Sequence, residues 1–240
     1  MRKPSVVGLA LLALLIIMLM LVLTLPATVV ISAFDDSGRL SRPQGSIWSG
    51  QARWLQTGHP PLLVEWRWAG GRVWHWQAAD AHSELHGRWR LGTALSLPEV
   101  RGRLALERVD LADWLLFSRP TGHLELALEA VELGSDAPPR AFGEVLWRDA
   151  GLAGAIQEPL GLIRLRLVDA DPVLRVVVES LEPAPIMVRG QLELDAEVYQ
   201  VDLWLRADRS RPDLQRALTD LGELQPDGQV RLRLRGASGF

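Results

Sequence analysis

One uncharged stretch near the amino terminus constrains this chain more than any other feature. Residues 4–34 contain no charged side chain, and Arg2 and Lys3 stand directly before them. The apolar core of the stretch, residues 6–23, is long enough to cross about 30 Å of hydrocarbon as a helix that rises about 1.5 Å per residue. Positive charge marks the cytoplasmic end of such a segment. We therefore predict a single span of the bacterial inner membrane, with a cytoplasmic amino terminus and a periplasmic bulk.

A cleaved signal peptide is the alternative to a retained anchor. The apolar region of a signal peptide usually runs for about 7–15 residues and ends at a small-x-small site. Residues 25–27 fit such a site poorly because Leu25 is large, and the apolar run continues as far as Ile31. We therefore expect a retained anchor, whose membrane-spanning residues include Val6, Leu12, Ile16, Leu19 and Leu23.

The composition excludes several classes of protein. The chain has 240 residues, a net charge of −3 and no cysteine. No basic stripe indicates a nucleic-acid partner, and without cysteine neither a disulfide framework nor a thiolate metal site can form. About 205 residues remain after the anchor, which is enough for one large domain or two small ones.

Beyond residue 35 the apolar residues recur with period two. Leu124, Leu126 and Leu128 alternate with polar or small neighbours, and the same alternation runs through residues 103–107, 163–167, 201–206 and 230–235. Residues two apart share one face of a strand, whereas on a helix they would lie about 200° apart. The pattern predicts a mainly β fold of antiparallel strands, in which each sheet has one apolar face.

Two short helices and a division into halves are also expected. The helices are predicted at residues 110–117 and 210–221; in the second, Ser210 is expected to cap, Pro212 to lie in the first turn and Gly222 to follow the last turn. Residues 100–107 and 188–195 are similar to each other. We predict a cytoplasmic stub and anchor at 1–34, a β half-domain at 35–134 and a second at 135–240. The second half is a duplicate of the first unless the similar strand openings arose by convergence.

No residue pattern indicates catalysis. His82, Glu84 and His86 would share one face of a strand, so weak Zn²⁺ binding is conceivable, but a solvated polar face is the interpretation that we favour. The chain has no G-x-S-x-G elbow, and the Gly45-to-Gly50 spacing is followed by Gln51 where a P-loop needs lysine. We predict no catalytic residue, no metal site, no cofactor and no enzymatic activity.

The tryptophans carry more information. Ten are present, against one tyrosine and four phenylalanines. Trp66 and Trp68 precede residues 69–72, Trp74 and Trp76 follow them, and the members of each pair are two residues apart. This spacing predicts a hairpin with two indole rings on one face of each strand. A Trp-rich core is the plain interpretation; sugar stacking, a partner surface and contact with the bilayer interface are the functional ones. The candidate interaction surface comprises Trp48, Trp54, Trp66, Trp68, Trp74 and Trp76.

At these residues the chain resembles the type II secretion system protein N family. The most specific element is the string G-S-I-W-S-G-Q-A at residues 45–52. The similarity also rests on the anchor that ends at residues 25–27, on W-R-W at 66–68, on G-E-V-L-W at 143–147, and on L-G at 221–222 followed by D-G-Q-V at 227–230.

The resemblance implies a non-enzymatic inner-membrane component of the type II (general) secretion machinery. Its periplasmic β body would act as a scaffold or partner-binding surface for other secretion components. The resemblance also implies likeness to AsmA-type bridge proteins, whose curved β-sheets have an apolar inner surface. The alternative function is therefore an AsmA-like lipid-binding or lipid-bridging protein with an apolar β groove. The expected partners are other type II secretion components and the membrane, with lipid under the alternative.

Overall fold

A computed structural model describes residues 20, 24–28, 31, 39–56, 58–91, 95–108, 118–133, 140–154, 157–170 and 173–237. The chain separates into two compact units, Met1–Asp80 and Ala81–Phe240. Antiparallel strands dominate both units, so the prediction of a mainly β fold is confirmed. The predicted division at residues 134 and 135 falls on residues outside the described part and stays a prediction.

The first unit contains a four-stranded antiparallel meander. Each strand pairs with the next along the chain. Glycine and proline punctuate the connections: Gly70 and Gly71 form the tight hairpin between the last two strands, and both have positive φ. The strands are β1 (Leu40–Gly45), β2 (Ser49–Trp54), β3 (Leu62–Gly70) and β4 (Val73–Ala79).

The second unit contains a longer antiparallel sheet with one short helix. Its strand order follows the chain until β14, which lies between β12 and β13. The helix α1 (Pro212–Thr219) connects β12 to β13, and a 3-10 turn (Leu106–Arg108) follows β6. The strands are β5 (Glu84–Leu91), β6 (Leu95–Ala105), β7 (Ser118–Leu133), β8 (Arg140–Gly154), β9 (Glu158–Asp169), β10 (Leu174–Ser180), β11 (Ile186–Leu194), β12 (Val198–Ala207), β13 (Glu223–Leu224) and β14 (Val230–Ala237).

The strand register places the period-two residues on common faces. Leu165 lies opposite Val145 on one side and Val178 on the other, while Arg164 lies opposite Leu146 and Glu179. Directly opposite residues point to the same face of a sheet. The second sheet therefore carries an aliphatic face and a charged face, as the alternation predicts.

Helix α1 closes one part of the aliphatic face. Leu214 and Leu218 from α1 are 5% and 3% exposed and pack with Ile163, Ile186 and Val230 of three strands. Burial of each leucine stabilises the fold by roughly 1.5–3 kcal/mol. A second and smaller buried cluster consists of Ala141, Leu174 and Leu194. The core of this unit thus depends on α1 as well as on the sheet.

The predicted helix is confirmed, but two of its expected end signals are wrong. The residue before α1 is Arg211, and no side chain caps the helix; the Ser210 hydroxyl donates to Asp208 instead. Gly222 is not in the left-handed conformation, because the helix ends at Asp220 with right-handed φ and ψ. A Cβ at Gly222 would lie 2.5 Å from the Arg231 carbonyl oxygen, so close approach to β14 requires glycine there.

Several expectations fall outside the described residues. The predicted helix at 110–117 and the anchor residues Val6, Leu12, Ile16, Leu19 and Leu23 belong to this group. Within the part of the chain that the structure describes, no helix is both long enough and apolar enough to span a membrane. The membrane anchor therefore stays a prediction from the sequence.

Candidate functional site

Four tryptophans form two directly opposed pairs on the β3–β4 hairpin. Trp66 lies opposite Trp76, and Trp68 lies opposite Trp74. All four rings therefore occupy one face of the first sheet, which is the arrangement that their spacing predicts. The opposite face of the same strands carries polar residues such as Glu65 and Gln77, whose side chains are hydrogen-bonded to each other.

Trp48 joins this group from the turn between β1 and β2. Its ring stacks on Trp74 with centroids 6.2 Å apart and planes at 13°, and it meets the edge of Trp68 at 5.2 Å and 66°. The Trp68 backbone N–H donates to the Trp48 carbonyl oxygen. Offset-stacked and edge-to-face geometries are the ones that the aromatic quadrupole favours. The turn is thereby held against the hairpin.

Indole N–H groups strengthen that attachment. Trp66 Nε1 donates to the Ser46 carbonyl oxygen and Trp74 Nε1 to the Ile47 carbonyl oxygen, each at 3.1 Å. Trp68 Nε1 donates to the Gly71 carbonyl oxygen at 3.0 Å. A buried indole normally needs such an acceptor, and the Trp76 Nε1 is the exception, since it is buried without a hydrogen-bond partner among the described residues.

The six candidate tryptophans differ in burial. Trp74 is 7% exposed and belongs to the core, whereas Trp54 and Trp68 are 40% and 44% exposed. Trp54 lies opposite Leu62, and Trp68 is six residues farther along β3, so the two exposed rings are about 20 Å apart along the strand. One aromatic face thus contains a core ring, Trp74, and two surface rings, Trp54 and Trp68.

The chain segment just after the apolar core of the predicted anchor (residues 6–23) contacts this group, a contact that the sequence analysis missed. The Ile47 backbone N–H donates to the Leu25 carbonyl oxygen at 3.1 Å, and Pro26 forms an antiparallel bridge with Ser46. Ala27 is only 1% exposed. The segment at residues 25–27 is therefore fixed to the same turn that holds Trp48.

The glycines of the string at residues 45–52 explain why this turn has its sequence. Gly45 has a φ of +88°, which side chains rarely adopt. A Cβ at Gly50 would lie 2.6 Å from Cζ2 of Trp66 and 2.5 Å from the Gln44 carbonyl oxygen. Both glycines are needed for the turn to reach the indole rings. This close packing is the reason that the sequence at residues 45–52 has glycine at these two positions.

We call one end of the first sheet the turn end; it comprises residues 46–48 of the β1–β2 turn and residues 69–72 of the β3–β4 hairpin. Arg67 and Arg72 are near this end, and both are exposed. The described residues of 40–50 and 66–75 contain no acidic side chain. The turn end therefore combines the exposed ring of Trp68 with positive charge, although the whole chain carries a net charge of −3.

Cross-strand ion pairs cover the charged face of the second sheet. The hydrogen bond from Arg148 lowers the pKa of Glu125, and Arg231 likewise lowers the pKa of Asp202. The Arg231 guanidinium also lies 4.8 Å from the centre of the Trp204 ring, a cation–π distance. These carboxylates are held ionised by neighbouring arginines, which is the opposite of what a general acid needs.

The histidines that the sequence singled out do not assemble a metal site. Glu84 and His86 share a face of β5, and His82 precedes that strand. Across the described ranges, no group of three or more His, Cys, Asp or Glu side chains is placed to hold a metal ion.

The outer strands of the two units differ in accessibility. β1 is interrupted by a register shift between Ser41 and Gln44, contains Pro43 and holds Arg42 at a φ of +51°. β14 pairs with β13 only at Val230 and Arg231. In the described part of the chain, no strand lies on the outer side of β14 from residue 232 onward. Bulges and proline are common means of blocking an edge, and β14 has neither.

The fold and the site define a class: a mainly β protein of antiparallel sheets with an aromatic surface next to its amino-terminal segment. A family model described as type II secretion system (T2SS), protein N, matches residues 39–233. The chain belongs to this family, and the resemblance inferred from the sequence is confirmed. The family is a component of the type II secretion machinery. No curated protein and no solved structure matches the chain significantly.

Proposed function

We propose that this protein is a non-enzymatic scaffold of the type II secretion machinery, anchored once in the inner membrane with its β body in the periplasm. Support comes from the family match over residues 39–233 and from the uncharged run at residues 4–34 preceded by Arg2 and Lys3. The charged face of the second sheet is engaged in ion pairs instead of forming a reactive site. Its partners are other components of the machinery.

The observation that carries the scaffold role is the edge of β14 from residue 232 onward, beside which no other described strand lies. Leu234 is 42% exposed, and its neighbours Arg233 and Arg235 are exposed as well. An unpaired edge strand is a template for an added strand, and alternate side chains of the added strand determine which partner fits. An extended segment with alternating acidic and aliphatic residues matches Arg233, Leu234 and Arg235. A second copy of β14 would place arginine against arginine, which disfavours self-pairing.

Site-specific crosslinking tests this role. A photo-crosslinking residue at Leu234 should form adducts with other secretion components in intact cells, whereas the same residue at Leu63 serves as the control. Leu63 is 39% exposed and belongs to the first unit, whereas the proposed edge belongs to the second. The substitutions Arg233→Glu and Arg235→Glu together should reduce the adducts at Leu234. Normal export in a deletion strain, with no adducts at Leu234, would refute the scaffold role.

A second candidate function is lipid binding in an apolar β groove. Leu165, Leu167, Val176, Leu192 and Leu203 on the aliphatic face are only partly buried, although α1 covers the neighbouring residues. Native mass spectrometry of the purified chain, released from detergent, would detect acyl lipids retained on this face. Substitution of Leu167 and Val176 by tryptophan would fill the face and should remove such lipids. No copurified lipid would dismiss this candidate.

A further inference from the structure

We infer that the turn end of the first sheet rests on the periplasmic surface of the bilayer, with Trp48 and Trp68 at the level of the lipid headgroups and Arg67 and Arg72 facing their phosphates. This inference deepens the proposed function and rests on its membrane anchor. It selects one occupant, a bilayer containing anionic phospholipid, for the exposed part of the aromatic surface.

The turn end is joined directly to the uncharged run near the amino terminus. Leu25 and Pro26 lie inside the run at residues 4–34, and both are joined to the β1–β2 turn, through the Ile47 N–H and the Ser46 bridge. The interfacial layer on each side of the hydrocarbon is about 5 to 8 Å thick. A chain that leaves the hydrocarbon near residue 23 reaches residue 25 within about 7 Å. The turn end is thereby placed at the surface of the bilayer.

The exposed side chain of Trp68 has the chemistry that suits the headgroup region of a bilayer. Trp68 is 44% exposed while its Nε1 is already hydrogen-bonded to the Gly71 carbonyl oxygen. An indole with an apolar body and a satisfied N–H suits the headgroup region, where tryptophan is enriched in membrane proteins.

The charge of the turn end also suits an anionic surface. Arg67 and Arg72 are exposed, and the described residues of 40–50 and 66–75 offer them no carboxylate. Each basic residue close to an anionic membrane surface adds favourable electrostatic attraction that decays within a Debye length. A protein partner would need a matching acidic patch, whereas the phospholipid phosphates are present wherever the anchor inserts.

The geometry supplies its own internal control. Ala69 and Leu63 are exposed residues of β3, six positions apart, so labels on them differ by about 20 Å along the strand. Because the chain lacks cysteine, Ala69→Cys and Leu63→Cys each give a single labelling site in the full-length protein. Neither residue belongs to the aromatic cluster.

The experiment places a nitroxide at each site in full-length protein reconstituted into vesicles of phosphatidylethanolamine and phosphatidylglycerol. Collisions with oxygen, which partitions into the bilayer, are compared with collisions with a water-soluble nickel chelate. We expect an oxygen-to-nickel ratio several-fold higher at residue 69 than at residue 63. The substitutions Arg67→Gln and Arg72→Gln together should lower the ratio at residue 69, while the control pair Arg42→Gln and Arg53→Gln, near the level of residue 63, should not.

Three results would overturn the inference. Equal ratios at residues 69 and 63, in protein that floats with the vesicles after an alkaline wash, would refute the contact of the turn end with the bilayer but not the anchor. Protein that fails to float would refute both the anchor and this contact. A label at residue 69 that is shielded from both reagents, and only when other secretion components are present, would show that a protein covers this end.

Discussion

Trp48 stacks on Trp74 with the ring centroids 6.2 Å apart, although the two residues lie on opposite sides of β3 in the chain order. Trp74 donates its Nε1 hydrogen to the Ile47 carbonyl oxygen, so the ring is both stacked on Trp48 and hydrogen-bonded to the turn that contains it. One buried indole thereby links the β3–β4 hairpin to the β1–β2 turn, to which the segment at residues 25–27 is also joined.

The first prediction concerns that buried ring. Trp74→Ala should lower the free energy of unfolding by about 3–5 kcal/mol, because it removes a large buried side chain and leaves a cavity. Trp54→Ala serves as the control; it removes a ring that is 40% exposed and should cost less than half as much. Urea unfolding of the full-length protein in mild detergent, followed by fluorescence, measures both. Equal losses would contradict the assigned burial.

The second prediction tests the two faces of the second sheet. Ile163 is 1% exposed, so Ile163→Asp places an unpaired charge in the core and should destabilise by about 4 kcal/mol or more. Arg166→Gln changes an exposed residue on the opposite face of β9 and should stay within about 0.5 kcal/mol of the parent. Thermal unfolding monitored by circular dichroism compares the two, and similar effects would show that the faces are misassigned.

The third prediction concerns a glycine inside a strand. Gly190 has a φ of +151°, and a Cβ there would collide with the Asp202 carbonyl oxygen of β12. Gly190→Ala should therefore destabilise by about 1–3 kcal/mol through backbone strain and displacement of the neighbouring strand. Gln191→Ala, one residue farther along β11, is the matched control and should be close to neutral. A neutral Gly190→Ala variant would refute the strained geometry.

The fourth prediction is acid sensitivity around α1. Hydrogen bonds from Arg211 lower the pKa of Asp213 to about 2, and Arg231 also lowers the pKa of Asp202. A carboxyl whose pKa falls on folding stabilises the native state above the unfolded pKa near 4, and this contribution is lost as the pH falls from about 4 towards 2.

Urea unfolding at a series of pH values checks this expectation. The free energy of unfolding of the parent should decline below pH 4, and Asp213→Asn should decline less steeply over the same range. Asp195→Asn is the control, because the Asp195 side chain makes no contact with Arg211 and accepts backbone N–H groups in the turn between β11 and β12. An Asp213→Asn variant with the full acid response would refute the role of the Arg211 pair.

The sequence predicted the elements whose signals are local. Period-two alternation placed the Leu165 strand and its neighbours correctly, because side-chain direction in a strand depends only on residue parity. Pro212 marked the first turn of α1 because its fixed φ suits that position. The helix-end signals at Ser210 and Gly222 gave wrong predictions. A serine can bond to a nearby aspartate instead of capping a helix, and a glycine can allow close packing of strands instead of ending a helix.

The candidate surface was predictable only in part. Spacing predicted that Trp66, Trp68, Trp74 and Trp76 share a face, and the register confirms this. Spacing could not tell that Trp74 is buried while Trp68 is exposed, because both obey the same alternation. Burial here depends on contacts from outside the hairpin, such as that of Trp48, which reaches Trp74 from a turn some 26 residues away in the chain.

The amino-acid sequence by itself determined the strand class, the apolar and charged faces, the helix at Pro212 and the family, since each depends on residues that are neighbours in the chain. The tertiary structure alone decided which rings are core, which arginine binds which carboxylate, and where the segment at residues 25–27 docks. These contacts join residues far apart in sequence, as Asp202 and Arg231 show with a separation of 29 positions. Such pairings follow from strand order and register, and no local pattern of residues encodes them.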